Sequence, residues 1–361
     1  MPLSAIDLFA GAGGFSLAAQ NVGVRVLAAV ENNIHASLTY RRNLIEGRSP
    51  APRLYSRNIL FLSAPQVLRD LNIVPGECDI ILGGPPCQGF SAHRINDAGV
   101  EDPRNALLWR YFSFVRSIRP KIFLVENVPG MLWSRHEDYV HRFYRLAERA
   151  GYAVQQPVVL NAKDYGVPQN RKRVFILGIR LDVGSLIWPP KPSHFDPTTD
   201  AVRIDRKPAW LRAEVAFKRM PKLDENAAHM EHGPALVEAF KNTPLNGGSR
   251  RDSGRVLPCH RDHDGHKDVY GRIDPSVPGP TMTTACINPS KGRFVHPTKP
   301  HGITLRHAAR LQGFPDSFMF EGGLMAGGIQ VGNAVPIQLG EAVVRHLAVS
   351  LLAKRPLLRA A

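Results

Sequence analysis

Cysteine is scarce. The chain has four in 361 residues, Cys78, Cys87, Cys259 and Cys286, and no Cys-x-x-Cys pair. That excludes a disulfide framework and a zinc ribbon, and it fits a reducing, intracellular compartment. No apolar run reaches the ~18 residues of a membrane span. Met1-Pro2-Leu3-Ser4 puts no basic segment ahead of an apolar one, so no signal peptide is expected. Long Lys/Arg blocks, internal repeats and low-complexity tracts are absent as well.

What the chain does have is positive charge, a formal +15 with a sequence pI of about 10.0. A polyanionic partner is the first idea such a charge suggests. Residues 1–185 hold 22 basic and 15 acidic side chains, residues 186–325 hold 20 and 15, and residues 326–361 hold four and one. The excess is spread over folded sequence, so a polyanion would lie in a groove and not on a basic tail. Hydrophobic residues at 43% and charged residues at 21% describe a globular protein. The length suggests two domains, at about 100–200 residues each.

Residues 1–185 alternate short apolar runs (5–9, 24–30, 78–82, 121–125, 152–160, 173–179) with helix-period stretches (15–21, 34–42, 105–117, 138–150). This predicts an α/β fold with a mostly parallel, doubly wound sheet. The character changes near Trp188-Pro189-Pro190. Residues 186–325 hold 16 of the 30 Pro and 9 of the 14 His, with weak periodicity, which predicts a second, smaller irregular domain. An amphipathic helix is expected over 336–352.

Four segments carry chemistry. Asp7-Leu8-Phe9-Ala10-Gly11-Ala12-Gly13-Gly14 is a strand running into a glycine turn, and Glu31 ends the next strand, where a carboxylate can accept from ribose hydroxyls. Ser16 stands where the dinucleotide fingerprint has its third glycine, which favours a ligand without pyrophosphate. Gly83-Gly84-Pro85-Pro86-Cys87 follows an apolar strand. Two prolines fix the backbone before Cys87, so its thiol is presented and not buried, unlike Cys78 inside the run. Glu126-Asn127-Val128 ends another apolar strand. A desolvated Glu there suits a proton donor, although a strand-end Glu paired to an Arg is the ordinary arrangement. In Gln169-Asn170-Arg171-Lys172-Arg173 the two Arg are expected to alternate on a strand and share one face, able to clamp an anion or a base edge.

Together these segments resemble the DNA cytosine-5 methyltransferase family. Asp7–Gly14 is similar to its cofactor loop, Pro85-Pro86-Cys87 to its nucleophile motif, Glu126-Asn127-Val128 to its acid motif, and Gln169–Arg173 to its Gln-x-Arg-x-Arg motif. Arg306–Pro315 and Gln330–Pro336 resemble its two closing motifs. The order is the family's, along nearly the whole chain. Two positions depart from its pattern: His307 where Glu is usual, and Asn58 where Asp is usual.

The resemblance implies a Rossmann-like methyltransferase domain of residues 1–185 plus 326–361, with 186–325 as the target recognition domain. It implies S-adenosylmethionine as cofactor, with Phe9, Gly11, Gly13, Gly14, Glu31, Asn58, Pro85, Asn333 and Val335 around it. Asn58 is expected to accept from the adenine through its side-chain oxygen. Double-stranded DNA is the implied partner of a monomeric chain that needs no membrane and no metal. Cys87 is the implied nucleophile at carbon 6 of a flipped cytosine, its thiolate favoured by Arg171 or Arg173, with Glu126 at ring nitrogen 3. Ser91 and residues 95–102 are similar to the family's catalytic loop. The series Cys259, His260, His263, His266 lacks the rest of a usual zinc pattern, so polar or DNA-backbone contacts are the expected role. RNA as substrate, a catalytically inactive DNA-binding protein and a nicotinamide oxidoreductase are the rival readings. The long Pro-rich insert, the intact Cys87 and Glu126, and the glycine pattern weigh against them in turn.

Overall fold

Strands apolar on both faces need covering on both faces, and helices between parallel strands provide that. The computed structural model describes residues 2–86, 106–253 and 268–358. It divides into two compact units: Met1–Asn161 with Lys172–Lys191 and Leu339–Ala361, and Ala162–Arg171 with Pro192–Gln338. The expected boundaries at 185 and 326 therefore fall at 191 and 339, and 162–171 sorts with the second unit. Gln169 and Arg171 account for that, since both bond inside the second unit.

In the first unit the strands are β1 (Ser4–Leu8), β2 (Arg25–Glu31), β3 (Arg53–Ser56), β4 (Ile80–Gly83), β5 (Ile122–Asn127), β6 (Tyr152–Val154), β7 (Val158–Asn161) and β8 (Lys172–Arg180). Among the described residues they form one sheet in the order β3-β2-β1-β4-β5-β8-β6, with β7 also on β8. Neighbours from β3 to β5 run parallel, and β8 is antiparallel to β5, β6 and β7. The single run expected over 152–160 is two strands, because Pro157 interrupts the ladder.

Helices α1 (Gly14–Asn21), α2 (Ile34–Leu44), α3 (Ala64–Leu71), α4 (Ala106–Ile118) and α5 (Glu137–Arg149) connect the strands. β3 and α3 lie outside the segments expected from the sequence. β3 is short and polar, while α3 does carry the helical period in Ala64, Val67, Leu68 and Leu71 and a cap, Ser63, whose side chain accepts from Gln66 N. Phe123 on β5 lies at the centre of the core, with Phe112, Phe143 and Tyr152 edge-on to its ring.

The second unit has little regular structure. It holds α6 (Asp200–Arg203), α7 (Pro234–Asn242), α8 (Leu305–Leu311) and α9 (Gly323–Asn333), and isolated bridges such as Arg272 with Val295. The last helix, α10 (Ile337–Leu358), buries Leu339, Val343, Leu347 and Leu351, as the expected amphipathic pattern requires. Residues Gly323–Lys354 pass the length and composition test for a membrane span. More than half of that window is buried in the protein, as in a core helix.

Candidate active site

The carboxyl end of β5 lies between that of β4 and the start of β8. Glu126 pairs opposite Phe175 in the β5–β8 register, which sets Arg173 diagonally across on the same face. Arg173 Nε lies 2.9 Å from Glu126 Oε1, and both side chains are largely buried. Burial pulls the Arg173 guanidinium below its ordinary value, and the Glu126 charge opposes that shift.

The backbone after β4 runs against this pair. A Cβ on Gly84 would come within 3.0 Å of Glu126 Oε2, so a side chain there would make the carboxylate give by a few tenths of an ångström. Asn127 Nδ2 donates to Pro85 O at 3.2 Å, and its Oδ1 accepts from Val128 N at 2.7 Å. Pro85 is buried in this arrangement. Carboxylate, guanidinium and the Gly84-Pro85 backbone thus form one assembly directly before residue 87. Cys87 itself, Ser91 and residues 95–102 lie outside the described residues, as do Cys259, His260, His263 and His266.

At the end of β1 the chain turns through Phe9, Gly11 and Gly13, all at positive φ (61°, 57° and 98°). Glu31 holds this turn. Its Oε2 accepts from Gly11 N at 2.8 Å, and its Oε1 accepts from Asn32 N and Asn33 N at 2.9 and 2.7 Å. A carboxylate offers about four lone-pair positions, so among the described residues one, on Oε2, is left for a ligand hydroxyl. Asn58 Oδ1 accepts from Leu60 N at 2.9 Å, capping the turn at Ile59–Phe61. That commits one lone pair of the oxygen expected to face adenine, leaving the second and the amide Nδ2. Arg110 of α4 steadies the same turn by donating to Ile59 O and Leu62 O.

Arg171 departs from expectation. It precedes β8 and belongs to the second unit, where it is fully buried. Nη1 donates to Met282 O, and Nη2 donates to Gly332 O and Ala334 O. The Nη groups of Arg171 are therefore committed to backbone carbonyls and not to the clamp expected of the two guanidiniums. Arg173 sits on β8 beside Glu126, whereas Arg171 serves backbone carbonyls. Gln169 works with Arg171: its Nε2 donates to Leu311 O, and its Oε1 accepts from Met282 N. Asn333, exposed at the end of α9, and buried Val335 also lie in the second unit.

His307 explains its own departure. Thr304 Oγ1 accepts from His307 N, and Thr304 N donates to His307 Nδ1, each at 3.1 Å. This is a reciprocal capping box in which an imidazole stands in for the usual carboxylate. Burial and the neighbouring His296 and His301 depress the His307 ring to about 3, so it is neutral and able to accept.

The family model for the C-5 cytosine-specific DNA methylase matches residues 3–348. The chain belongs to that family. Type II methyltransferase M1.HphI of Haemophilus parahaemolyticus is 35% identical, covering 95% of this chain and 86% of its own. Type II methyltransferase M.XorII of Xanthomonas oryzae pv. oryzae is 30% identical over 97% and 85%. The solved S. pombe Dnmt2 methyltransferase shares the fold, with a TM-score of 0.60 at 15% identity and 99% of both chains covered. The methylase is thus a DNA cytosine-5 methyltransferase on a Rossmann-like sheet, with DNA as substrate and a methyl-donor cofactor.

Gly84, Ser16 and Tyr40 were not among the expected site residues of the methylase. Gly84 could have been picked out as a glycine wedged between a strand and a proline pair. Ser16 was visible only as a missing glycine, and Tyr40 not at all.

Proposed function

We propose that this methylase modifies one cytosine within a specific sequence of double-stranded DNA, with S-adenosylmethionine as methyl donor, in the manner of a Type II methyltransferase. The ion pair of Glu126 and Arg173 against the Gly84-Pro85 backbone carries this reading, because it fixes a carboxylate directly beside the segment that leads into Cys87.

Carbon 5 of cytosine is a poor nucleophile. Addition of the Cys87 thiolate to carbon 6 breaks the ring's aromaticity and makes carbon 5 enamine-like. Beside Arg173 the Glu126 carboxylate takes a proton from solvent as the base enters, then donates it to ring nitrogen 3 as the adduct forms, while its other oxygen accepts from the exocyclic amine. Arg173 holds Glu126 in place and contributes positive charge near the thiolate. Once carbon 5 carries the methyl group, loss of its proton to water expels the Cys87 thiolate and restores the ring. A cytosine inside a duplex cannot reach this pocket, so the base must leave the stack.

The first unit fits the proposed donor. S-adenosylmethionine, when bound, supplies an electrophilic methyl group on a sulfonium and carries no phosphate. Glu31 has one acceptor position for a ribose hydroxyl, Asn58 offers amide hydrogens and one lone pair to the base, and Phe9 with Gly11–Gly14 lines the turn. Residues 186–325, rich in loops, are the target recognition domain in this reading.

Expression in a methylation-free host followed by bisulfite sequencing tests the whole reading. Methylcytosine confined to one short motif is expected, and its complete loss in Cys87→Ala with donor affinity retained. Methylation without sequence preference would overturn the recognition claim, and full activity of Cys87→Ala the nucleophile.

A further inference from the structure

Beneath the glycine turn lies a buried carboxylate that the proposed chemistry does not use. Asp7, at the end of β1, is 1% exposed. Ser16 Oγ, in the first turn of α1, donates to Asp7 Oδ2 at 2.7 Å. Tyr40 Oη, on α2, donates to Ser16 Oγ at 2.8 Å. Ser16 and Tyr40 are both fully buried. Each hydroxyl has one hydrogen, so with Asp7 ionised the donation runs in a single direction, from Tyr40 through Ser16 to Asp7.

This arrangement is costly. Burial pushes the Asp7 carboxyl up to about 7, against the bonds from Ser16 and with the Glu31 charge adding to the rise. An apolar residue at the end of β1 would avoid the penalty. What the carboxylate does is tie the end of β1 to the start of α1 on the far side of the turn. The third glycine of a dinucleotide turn allows helix and strand to pack closely, and here Ser16 at that position bridges them. The Tyr40 ring also fills the space under Gly13. A Cβ on Gly13 would come within 3.0 Å of Tyr40 Cδ2 and 2.3 Å of Leu44 Cδ1. The turn is therefore held at two points, by Glu31 at Gly11 and by the hydroxyl relay at the helix start.

We infer that Ser16 and Tyr40 are positioning residues for the methyl donor, acting through Asp7 to set the Gly11–Gly14 turn and so the one acceptor position left on Glu31. This rests on the reading of that turn as the donor site.

The test uses the full-length enzyme, with Tyr40→Phe keeping the ring and Ser16→Ala removing the relay's middle. Each is expected to raise the KM for S-adenosylmethionine about fivefold to tenfold, while kcat at saturating donor and the KM for DNA change less than about twofold. The double variant should be no worse than the worse single one, because both cut the same chain. Asp7→Asn, which keeps an acceptor for Ser16, should hold the donor KM within about twofold of the parent. A lowered Tm with unchanged donor KM in Tyr40→Phe and Ser16→Ala overturns the inference. Glu31→Ala separates the two levels. If it too leaves the donor KM unchanged, the donor-site reading itself fails. If it raises the KM while the relay variants do not, the relay alone is wrong.

Discussion

The two units satisfy their backbones by different means. In the first, carbonyls and amides are consumed by a sheet and its helices, and the interior is aromatic and aliphatic. The second has few ladders, and three of the largest fully buried side chains in the protein are its arginines, Arg171, Arg272 and Arg306. Arg272 donates to Phe240 O, Thr243 O, His296 O and Lys299 O. Arg306 binds both oxygens of Asp224 and the carbonyls of Pro315 and Phe318. Burial would raise the Asp224 carboxyl, and the Arg306 bonds outweigh it to leave the group lowered. Guanidiniums with five donors in a fixed fork do in this unit what strand pairing does in the other. A loop-built domain can thus be well ordered without periodicity.

The sharpest way to break this comparison is to make one substitution on both sides of it. Lysine keeps the charge of arginine but loses the fork. Arg171→Lys should destabilise the protein by at least about 3 kcal/mol, since three buried carbonyls lose their donors. Arg173→Lys still places a cation beside Glu126 and should cost under about 1 kcal/mol, while turnover falls about tenfold because the carboxylate is less well held. Urea unfolding and methyl-transfer assays on the two variants would check this. Equal stability losses would show that the two arginines do not have separate roles.

Acidity should sharpen the contrast. Asp7 titrates at about 7 in the fold, well above its ordinary 3.8. Its favourable contribution is full at low pH and is lost as pH rises through about 7. His296 and His307 are held near 3, below their ordinary 6.5, chiefly by burial. Their contribution is full above 6.5 and is lost as pH falls toward 3. Between those limits acid favours the first unit and disfavours the second. The Tm of Asp7→Asn relative to the parent should rise by a few degrees from about pH 5 to about pH 8, and that of His296→Gln should rise as pH falls from about 7 to about 5. Flat differences in scanning calorimetry would contradict the buried states of these groups.

The smallest effect tests the imidazole cap of α8. Thr304→Ala removes the hydroxyl that accepts from His307 N and should cost about 1 kcal/mol, read as a shift in the urea midpoint. No shift would mean that the ring, and not the hydroxyl, holds the helix start.

These contrasts also separate what was legible from what was not. Strands β4 and β5 announce themselves because each is apolar on both faces and ends in a polar or glycine-rich segment, and β1 does so through its apolar run into the glycine turn. Glu126 stood out for the same reason, as a carboxylate closing an apolar run. Arg171 and Arg173 share a chemistry and a spacing of two, yet β8 begins between them at Lys172, and nothing in their side chains marks that edge. The second unit offered less still, since carbonyls held by an arginine from a distant segment leave no period in the sequence. His307 read as a lost acid until its Nδ1 proved able to accept as a carboxylate would.

The interior arginines bear on how DNA affinity should respond to salt. Each phosphate neutralised by a surface cation releases a condensed counterion, so the slope of log K against log salt counts cations at the interface, at about 0.9 per contact. Arg171, Arg272 and Arg306 belong to the formal +15, but they are fully buried within the protein and displace no counterion. The salt slope should accordingly fall well below the net charge.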